Sequence, residues 1–414
     1  MDLSSYVKGK KIILAITGGI AAYKAANRVS TLRRAGDEVY VVMTENAQAF
    51  ISPLTLKTLS EHDVITDMFD DKGYVTHISL TEAADLFVVA PATANCLAKM
   101  RTGIADDMLS TMLLAFNKDI LVVPSMNDNM LENAATVENI EVLKNRGVHF
   151  VMPEYGKLAT GKIGKGRFPK EELIILKIVE LLYVKPLLNS YEEDGYDKLS
   201  KFIKGKTFGV TLGATKEYID PVRYISNGSS GKMGFAFINA INSFEGNLKI
   251  IAASHTDERV EWFPYERAGS TEDMCKKVLN IAPALDWLIM SAAPGDYRVE
   301  TESKSKIKKG SETIELKLAK NPDIITEVKI KFPDLKIIGF AAETDNIEEH
   351  AIEKIRKKGI EAICVNEVYK DEKGFNQDKN EITLISKKGK VSFSTMDKEV
   401  LAYLILFHLL IKWG

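Results

Sequence analysis

The 414-residue chain is poor in cysteine. Its three, Cys96, Cys275 and Cys364, lie far apart, with no CxxC pair. That excludes a disulfide scaffold and argues against a zinc-thiolate site, and it fits a reducing compartment. Net charge is nearly absent: 55 Lys and Arg stand against 57 Asp and Glu, a formal −2. No dominant field for a nucleic acid or a membrane surface follows from that balance. Long apolar runs are missing too. The longest is LAYLILFHLLIK, Leu401 to Lys412, well short of the roughly 20 residues of a membrane helix. It reads as a buried or interface helix. The opening MDLSSYVKGKK lacks the apolar run of a signal peptide. The expectation is a cytoplasmic protein with no nucleic-acid or membrane partner.

What is present is ordinary globular composition, 45% apolar and 27% charged. At roughly 150 residues per domain the length suits two to three domains. KIILAIT (Lys11 to Thr17) runs into Gly18-Gly19 and an Ala-rich helical stretch. DEVYVVMT, DLFVVAP, DILVVPSMN and GVHFVMP follow as strands with helical stretches between them. That alternation predicts a doubly wound α/β domain over residues 1–184. Residues 185–206 are polar and read as a linker with one short helix. From 207 to 414 the chain starts again with TFGVTLG, LKIIAAS, DWLIMSAAP, LKIIGFAAE and EAICVNEV, then a hairpin of EITLIS and KVSFS across KKG. This is a second α/β domain with some antiparallel strands.

Ligands of doubly wound sheets sit at the carboxyl ends of the strands. Here those ends carry Thr17-Gly18-Gly19, Thr44-Glu45-Asn46, Pro91-Ala92-Thr93-Ala94-Asn95 and Pro124-Ser125-Met126-Asn127. A strand that meets a Gly turn and opens a helix is an anion cradle. Ala21 and Ala22 stand where G-x-G-x-x-G needs its later glycines, so a nicotinamide dehydrogenase is disfavoured, and no Walker pattern is present. The four ends suit a flat, polar-edged cofactor such as FMN, or they reflect only the turn residues on which strands end. His77, in THISL, is an acid, base or substrate contact near neutral pH, or a structural histidine. In the second half, ATKEYIDPVRYISNGSSGKMG (Ala214 to Gly234) gathers Asp220, Arg223, Asn227 and Lys232 on a Gly-Ser loop able to wrap a carboxylate or phosphate. KSKIKKG, Lys304 to Gly310, is a solvated face. Beside Asp296 and Asn321 to Ile324 it is otherwise a triphosphate contact, with magnesium offsetting the charge.

Together these strings resemble the family of bifunctional phosphopantothenoylcysteine decarboxylase/phosphopantothenate–cysteine ligases of coenzyme A biosynthesis, over nearly all of the chain. AITGGIAAYKA, HISL, PATANCLAKMRTGIADDMLS and PSMN carry the first half of the likeness. GATKEYIDPVRYISNGSSGKMG, SAAPGDYR, KIKK, NPDII and GFAAET carry the second. The resemblance implies a flavodoxin-like, flavin-containing cysteine decarboxylase domain followed by a Rossmann-like ligase domain. FMN would lie over Gly18, Gly19, Ile20, Ala21, Thr44, Asn46, Thr93, Ala94, Asn95, Cys96 and Ser125. His77 would be the active-site histidine and Asn127 the substrate-binding asparagine. The flavin would oxidise the substrate thiol to a thioaldehyde, an electron sink for decarboxylation. The ligase would activate phosphopantothenate with CTP and Mg2+ as an acyl-cytidylate, which the amine of cysteine displaces. Met290, Ser291, Ala292, Asp296, Asn321, Pro322, Asp323, Ile324, Phe340, Lys354 and Lys358 would contact the nucleotide. Lys306 would stabilise charge on the reacting phosphate, and Asn227 would hold the acyl intermediate. The metal ligands are unassigned. A homo-oligomer is implied, with trimeric flavin domains and dimeric ligase domains.

One position departs from the family. The proton donor is expected to be the cysteine of A-C-G before I-G-x-G-R. This chain reads LATGKIGKGRF, which puts Thr160 there. A hydroxyl is a far weaker acid than a thiol of pKa about 8.5. General-acid catalysis falls accordingly, so the second half-reaction is slowed or uses another donor, with Cys96 as one candidate. A flavin-binding regulatory or decarboxylation-impaired first domain beside an intact ligase is the alternative.

Overall fold

The computed structural model describes residues 4–68, 73–157, 161–308, 313–343, 347–367 and 377–414. Of these, 73–77, 157, 342, 343, 347 and 367 are described by their backbone alone. The chain divides into two compact units, one ending at Leu187 and one running from Leu188 to Gly414.

In the first unit, β1 (Lys11–Ile16), β2 (Glu38–Met43), β3 (Leu86–Ala92), β4 (Ile120–Pro124) and β5 (His149–Phe150) form one parallel sheet in the order β2-β1-β3-β4-β5. β3 is buried along its whole length and β1 from its second residue on. Unbroken apolar strands of this kind belong to sheets covered on both faces. Ile13, Val89, Leu97, Leu109, Met112 and Val122 form part of the core on one face. The chain leaves β1 for β2 on one side and returns to β3 on the other. The switch point of this doubly wound sheet therefore lies between the ends of β1 and β3. A separate hairpin follows, β6 (Glu154–Lys157) against β7 (Ile163–Arg167).

The span 185–206, expected as a linker with one short helix, carries two helices, Lys185–Tyr191 and Gly195–Ile203. Tyr196, Leu199 and Ile203 recur at helical spacing, and all three are buried. That apolar stripe is what an ordered helix needs and a free linker lacks.

The second unit is built on eight strands: β8 (Thr207–Leu212), β11 (Asn247–Ala253), β12 (Glu266–Ala268), β13 (Trp287–Met290), β16 (Lys336–Glu343), β17 (Ala362–Glu367), β18 (Lys379–Ser386) and β19 (Gly389–Asp397). Two small hairpins stand apart from it, β9 (Glu217–Tyr218) with β10 (Tyr224–Ile225), and β14 (Tyr297–Val299) with β15 (Leu318–Lys320). The main sheet runs β12-β11-β8-β13-β16-β17-β18-β19. It is parallel through β17, and β18 and β19 close it as the antiparallel hairpin expected across KKG. Its switch point lies between β8 and β13. The apolar run at the C-terminus forms the helix Lys398–Phe407 and a π turn, His408–Lys412, buried from Lys398 to Leu410. Tyr403 packs edge-on to Phe244 with ring centroids 5.7 Å apart, and its hydroxyl reaches Ser243 Oγ at 3.2 Å. The run is thus a core helix. Among the described residues no helix is long and apolar enough to cross a membrane.

Candidate functional site

Each switch point holds a cavity. In the first unit Thr17 closes β1. Its Oγ1 donates to the Pro91 carbonyl at 2.8 Å and accepts the Thr93 N–H at 3.0 Å, which ties the ends of β1 and β3 together. Gly18 then passes so close to the end of β2 that a Cβ would stand 2.5 Å from Asn46 Cβ. Only glycine fits there. Thr93 caps the helix Ala94–Thr102 by accepting the Cys96 N–H at 3.3 Å. Between these ends lies a cavity of about 570 Å³. Thr17, Gly18, Thr44, Asn46, Thr93 and Asn95 give it a polar rim, and Met100, Ile104, Leu109 and Leu113 an apolar floor. Thr44 Oγ1 is buried and has no hydrogen-bond partner. A buried hydroxyl with no partner is costly, and a polar-edged ring would satisfy it. The donor set and the shape therefore fit a flavin.

Not every expected contact lines that cavity. Cys96 and Glu45 do, but Gly19, Ile20, Ala21, Ala94 and Ser125 do not. Ile20 is exposed, and Ser125 N–H is spent on the Ala92 carbonyl at 3.0 Å. Asn127 caps the short helix Asp128–Leu131, with Oδ1 accepting the Asn129 N–H at 3.0 Å. The β6–β7 hairpin lies against it: a Cβ on Gly166 would collide with the Met126 carbonyl. Thr160 lies outside the described residues. His77 falls in the helix Gly73–Ala83, and its side chain is outside them too. Burial pushes the Cys96 thiol up to about 12. Such a thiol is a poorer proton donor at neutral pH than an ordinary one.

The second switch point repeats the device. Thr211, in β8, accepts the Ala292 N–H at 3.2 Å and lies 3.6 Å from Met290 Sδ. Gly213 has φ +83, and a Cβ on it would meet the His255 carbonyl. Beyond β13, the Gly295 peptide is held on both sides. Its N–H donates to Thr215 Oγ1 at 3.0 Å, and its carbonyl accepts Asn321 Nδ2 at 2.8 Å. Thr271 Oγ1 stands 3.2 Å from that carbonyl and 2.8 Å from Glu217 Oε1, which also accepts the Thr271 N–H at 2.9 Å. This buried network fixes the turn that presents Asp296, whose carbonyl accepts the Asn321 N–H at 2.8 Å. Asn227 Nδ2 donates to the Ala293 and Pro294 carbonyls at 3.3 and 3.0 Å.

These groups surround a cavity of about 680 Å³. Every residue expected at the nucleotide lines it except Lys306: Met290, Ser291, Ala292, Asp296, Asn321, Pro322, Asp323, Ile324, Phe340, Lys354 and Lys358, together with Asn227. Lys358 pairs with Asp323 at 2.7 Å. Burial opposes the charge on Asp323, but the Lys358 ammonium and the Thr326 N–H hold its carboxyl below the usual range. Lys306 is exposed and outside the wall, in a segment tied down where Asp220 Oδ2 accepts the Ile307 N–H at 3.2 Å.

A second cavity of about 590 Å³ adjoins the first along the Asn227–Lys232 loop. Apart from that loop, sequence reading missed its residues. Arg259 stacks over Phe235 at 4.0 Å and grips both Asp257, at 2.7 Å, and Glu399, at 3.0 Å. Burial outweighs Arg259 and raises Glu399 to about 7. Lys398 also lines this cavity. It is more than nine-tenths of the chain away from β1 and more than 160 residues from the Gly-Ser loop, so no local motif could announce it. Glu217 and Thr271 were missed for a related reason, as only the fold brings them to Gly295.

Residues 2–183 match the Flavoprotein family, and residues 203–411 match the DNA/pantothenate metabolism flavoprotein C-terminal domain. The chain is 37% identical over 389 residues to the coenzyme A biosynthesis bifunctional protein CoaBC of Bacillus subtilis, covering 92% of each chain. It is 36% identical over 413 residues to the protein of the same name from Escherichia coli, covering 98% of each. Among solved structures, a C-terminal domain of a coenzyme A biosynthesis bifunctional protein CoaBC is 26% identical, with a TM-score of 0.42 over 51% of this chain and 97% of that one.

Proposed function

The chain belongs to the family of coenzyme A biosynthesis bifunctional proteins, and from that premise we propose how its units share the work. Residues 1–184 decarboxylate phosphopantothenoylcysteine with FMN. Residues 207–414 join 4'-phosphopantothenate to cysteine using CTP, and 185–206 connect them. The observation that carries the reading is the convergence of Asn227, Asp296, Asn321, Phe340, Lys354 and Lys358 on one cavity at the switch point of the second sheet.

In the ligase a carboxylate oxygen of phosphopantothenate attacks the α-phosphorus of CTP, and pyrophosphate leaves with the bridging oxygen. The cysteine amine then attacks the acyl carbon, and CMP leaves. Asn227, oriented by the Ala293 and Pro294 carbonyls, holds the acyl intermediate. Asp296 is presented by the rigid Gly295 turn. Lys306, which lies outside the cavity wall, is assigned to the reacting phosphate by the family resemblance alone. Magnesium would offset the charge of the nucleotide phosphates and polarise the reacting phosphorus.

In the decarboxylase, Thr17, Thr44, Asn46, Thr93 and Asn95 would hold the flavin by hydrogen bonds, and Gly18 would leave room for it. When bound, the flavin supplies the reversible two-electron chemistry that lets carbon dioxide leave the substrate. His77 and Asn127 position the substrate. Thr160 replaces the thiol donor, and Cys96 is a poorer donor than an ordinary thiol. Membership of both units in the bifunctional family disfavours a purely regulatory first unit. Exposed Tyr218, Val222, Tyr224, Tyr297 and Leu318 on the small hairpins support a ligase dimer, and exposed Ile20, Tyr23 and Leu114 support a trimer of the flavin unit. Three buried, unpaired cysteines suit a cytoplasmic enzyme.

The test is to incubate the protein with phosphopantothenate, cysteine, magnesium and either CTP or ATP, and to follow pyrophosphate and carbon dioxide separately. Pyrophosphate should appear with CTP, and carbon dioxide should follow it. The ligase reading fails if neither nucleotide yields pyrophosphate. Thr160→Cys should raise the yield of fully reduced product roughly a hundredfold, the low end for a restored general acid. No gain means the threonine is not limiting.

A further inference from the structure

The two cavities of the second unit meet at the Asn227–Lys232 loop, and Lys232 and Lys398 line both of them. Lys398 opens the C-terminal helix and is 7% exposed. Its Nζ donates to the Gln377 carbonyl at 2.6 Å. Lys232 Nζ lies 2.7 Å from Asp378. Burial, with the Lys232 ammonium adding to it, lowers Lys398 to about 8, while Asp378 and Asp257 oppose the shift. Holding a second ammonium in so dry a place is costly unless an anion comes to meet it.

The surrounding backbone suits the same charge. Gly231 sits at φ +76 at the cap of the twelve-residue helix Lys232–Ser243. A Cβ there would stand 2.6 Å from Thr256 Oγ1, so glycine lets the loop pack closely on Thr256 and open the helix at the junction of the two cavities. Ser229 and Ser230 line both cavities beside it. The other cations nearby have different places. Arg259 is taken up by Asp257 and Glu399, Lys358 by Asp323, and Lys306 is outside the wall.

We propose that Lys398, beside Lys232, is a further catalytic residue of the ligase, binding the β- and γ-phosphates of the nucleotide and the departing pyrophosphate at the end of the nucleotide cavity that both lysines line. This rests on the ligase reading. As the carboxylate oxygen bonds to the α-phosphorus, the bond from that phosphorus to the bridging oxygen breaks, and the electron pair leaves on pyrophosphate. The Lys398 ammonium meets that growing charge. The incoming anion favours protonation of Lys398, so binding takes up a proton from solution wherever the free lysine is partly neutral. Lys232, Asp378 and Asp257 act on its charge, and His255, Glu258, Arg259, Asp397 and Glu399 line the second cavity with it.

The probe is inorganic pyrophosphate, titrated calorimetrically into the full chain near pH 8.5 in buffers of different ionisation enthalpy. Lys398→Ala should weaken binding roughly tenfold to hundredfold, the range of a lost charge-assisted hydrogen bond, and should abolish the proton uptake. Lys398→Arg should bind nearly as well as the parent without uptake, because guanidinium stays charged. That variant separates charge from packing. CTP-dependent pyrophosphate release should fall in the alanine variant mainly through kcat. The proposal is overturned if Lys398→Ala binds pyrophosphate as tightly as the parent with the same uptake, or if Lys398→Arg binds as weakly as alanine. Loss of the ligase reading shows separately, as no pyrophosphate release from the parent with any nucleotide.

Discussion

The two units use one device for two kinds of ligand. In each, a threonine of the first strand ties that strand to its neighbour across the switch point: Thr17 accepts the Thr93 N–H, and Thr211 accepts the Ala292 N–H. In each, a glycine follows where no Cβ fits, Gly18 against Asn46 and Gly213 against His255. The walls differ. The first cavity has an apolar floor and an unpartnered Thr44 hydroxyl, which suits a resident planar group. The second is lined by Lys232, Lys354, Lys358 and Lys398, which suits a polyanion that enters and leaves. The topology sets where a ligand binds, and the side chains set which one.

The sharpest way to break the comparison is to fill one crevice only. Gly18→Val places new atoms on top of Asn46. The strain alone is about 1–3 kcal/mol, and the new side chain also points at the flavin site. The variant should purify without yellow colour and without carbon dioxide release, while CTP-dependent pyrophosphate release persists. Should pyrophosphate release vanish too, the units are not independent.

A smaller effect is expected in the other unit. Glu217→Ala removes the acceptor of two Thr271 donors and loosens the Gly295 turn. Leaving buried donors unsatisfied costs roughly 1–3 kcal/mol. If that loss falls on the transition state, ligation slows about tenfold to hundredfold. Glu217→Gln keeps an acceptor and should recover most of the rate, with flavin content unchanged in both variants. Equal damage from the two would mean that Glu217 acts through its charge.

Much of this was legible beforehand, for physical reasons. The buried parallel strands are unbroken apolar runs, and strand-end loops must face a ligand crevice. So the α/β class followed from the strands themselves, whereas most of the second cavity's wall was expected from the family resemblance carried by strings such as SAAPGDYR and NPDII. One short helix was expected within 185–206, and the second was missed because the apolar stripe of Tyr196, Leu199 and Ile203 is thinly spread among charges. Gly19, Ile20 and Ser125, which the family resemblance put at the flavin, do not line the cavity. Lys398, Glu217 and Thr271 act through long-range contacts that no window of sequence contains.

The smallest effect concerns two buried carboxyls, one per unit. Asp37 is fully buried and neither of its carboxylate oxygens has a hydrogen-bond partner. Burial raises it from 3.8 to about 7. The folded state thus holds this proton more tightly than the unfolded chain does. Stability falls as pH rises from about 4 through 7, and the penalty stays in full above that. Asp37→Asn removes the buried charge while keeping a buried polar group. It should stabilise the first unit by about 1–2 kcal/mol near pH 8 and by almost nothing near pH 4. Thermal unfolding followed by flavin release reads this directly. Glu399 is also raised to about 7, but it faces Arg259 at 3.0 Å. Glu399→Gln trades that charged acceptor for a neutral one, so it should give no comparable gain. A gain of equal size at Glu399 would mean that Arg259 contributes nothing to holding that carboxylate, and the contrast between the two buried acids would collapse.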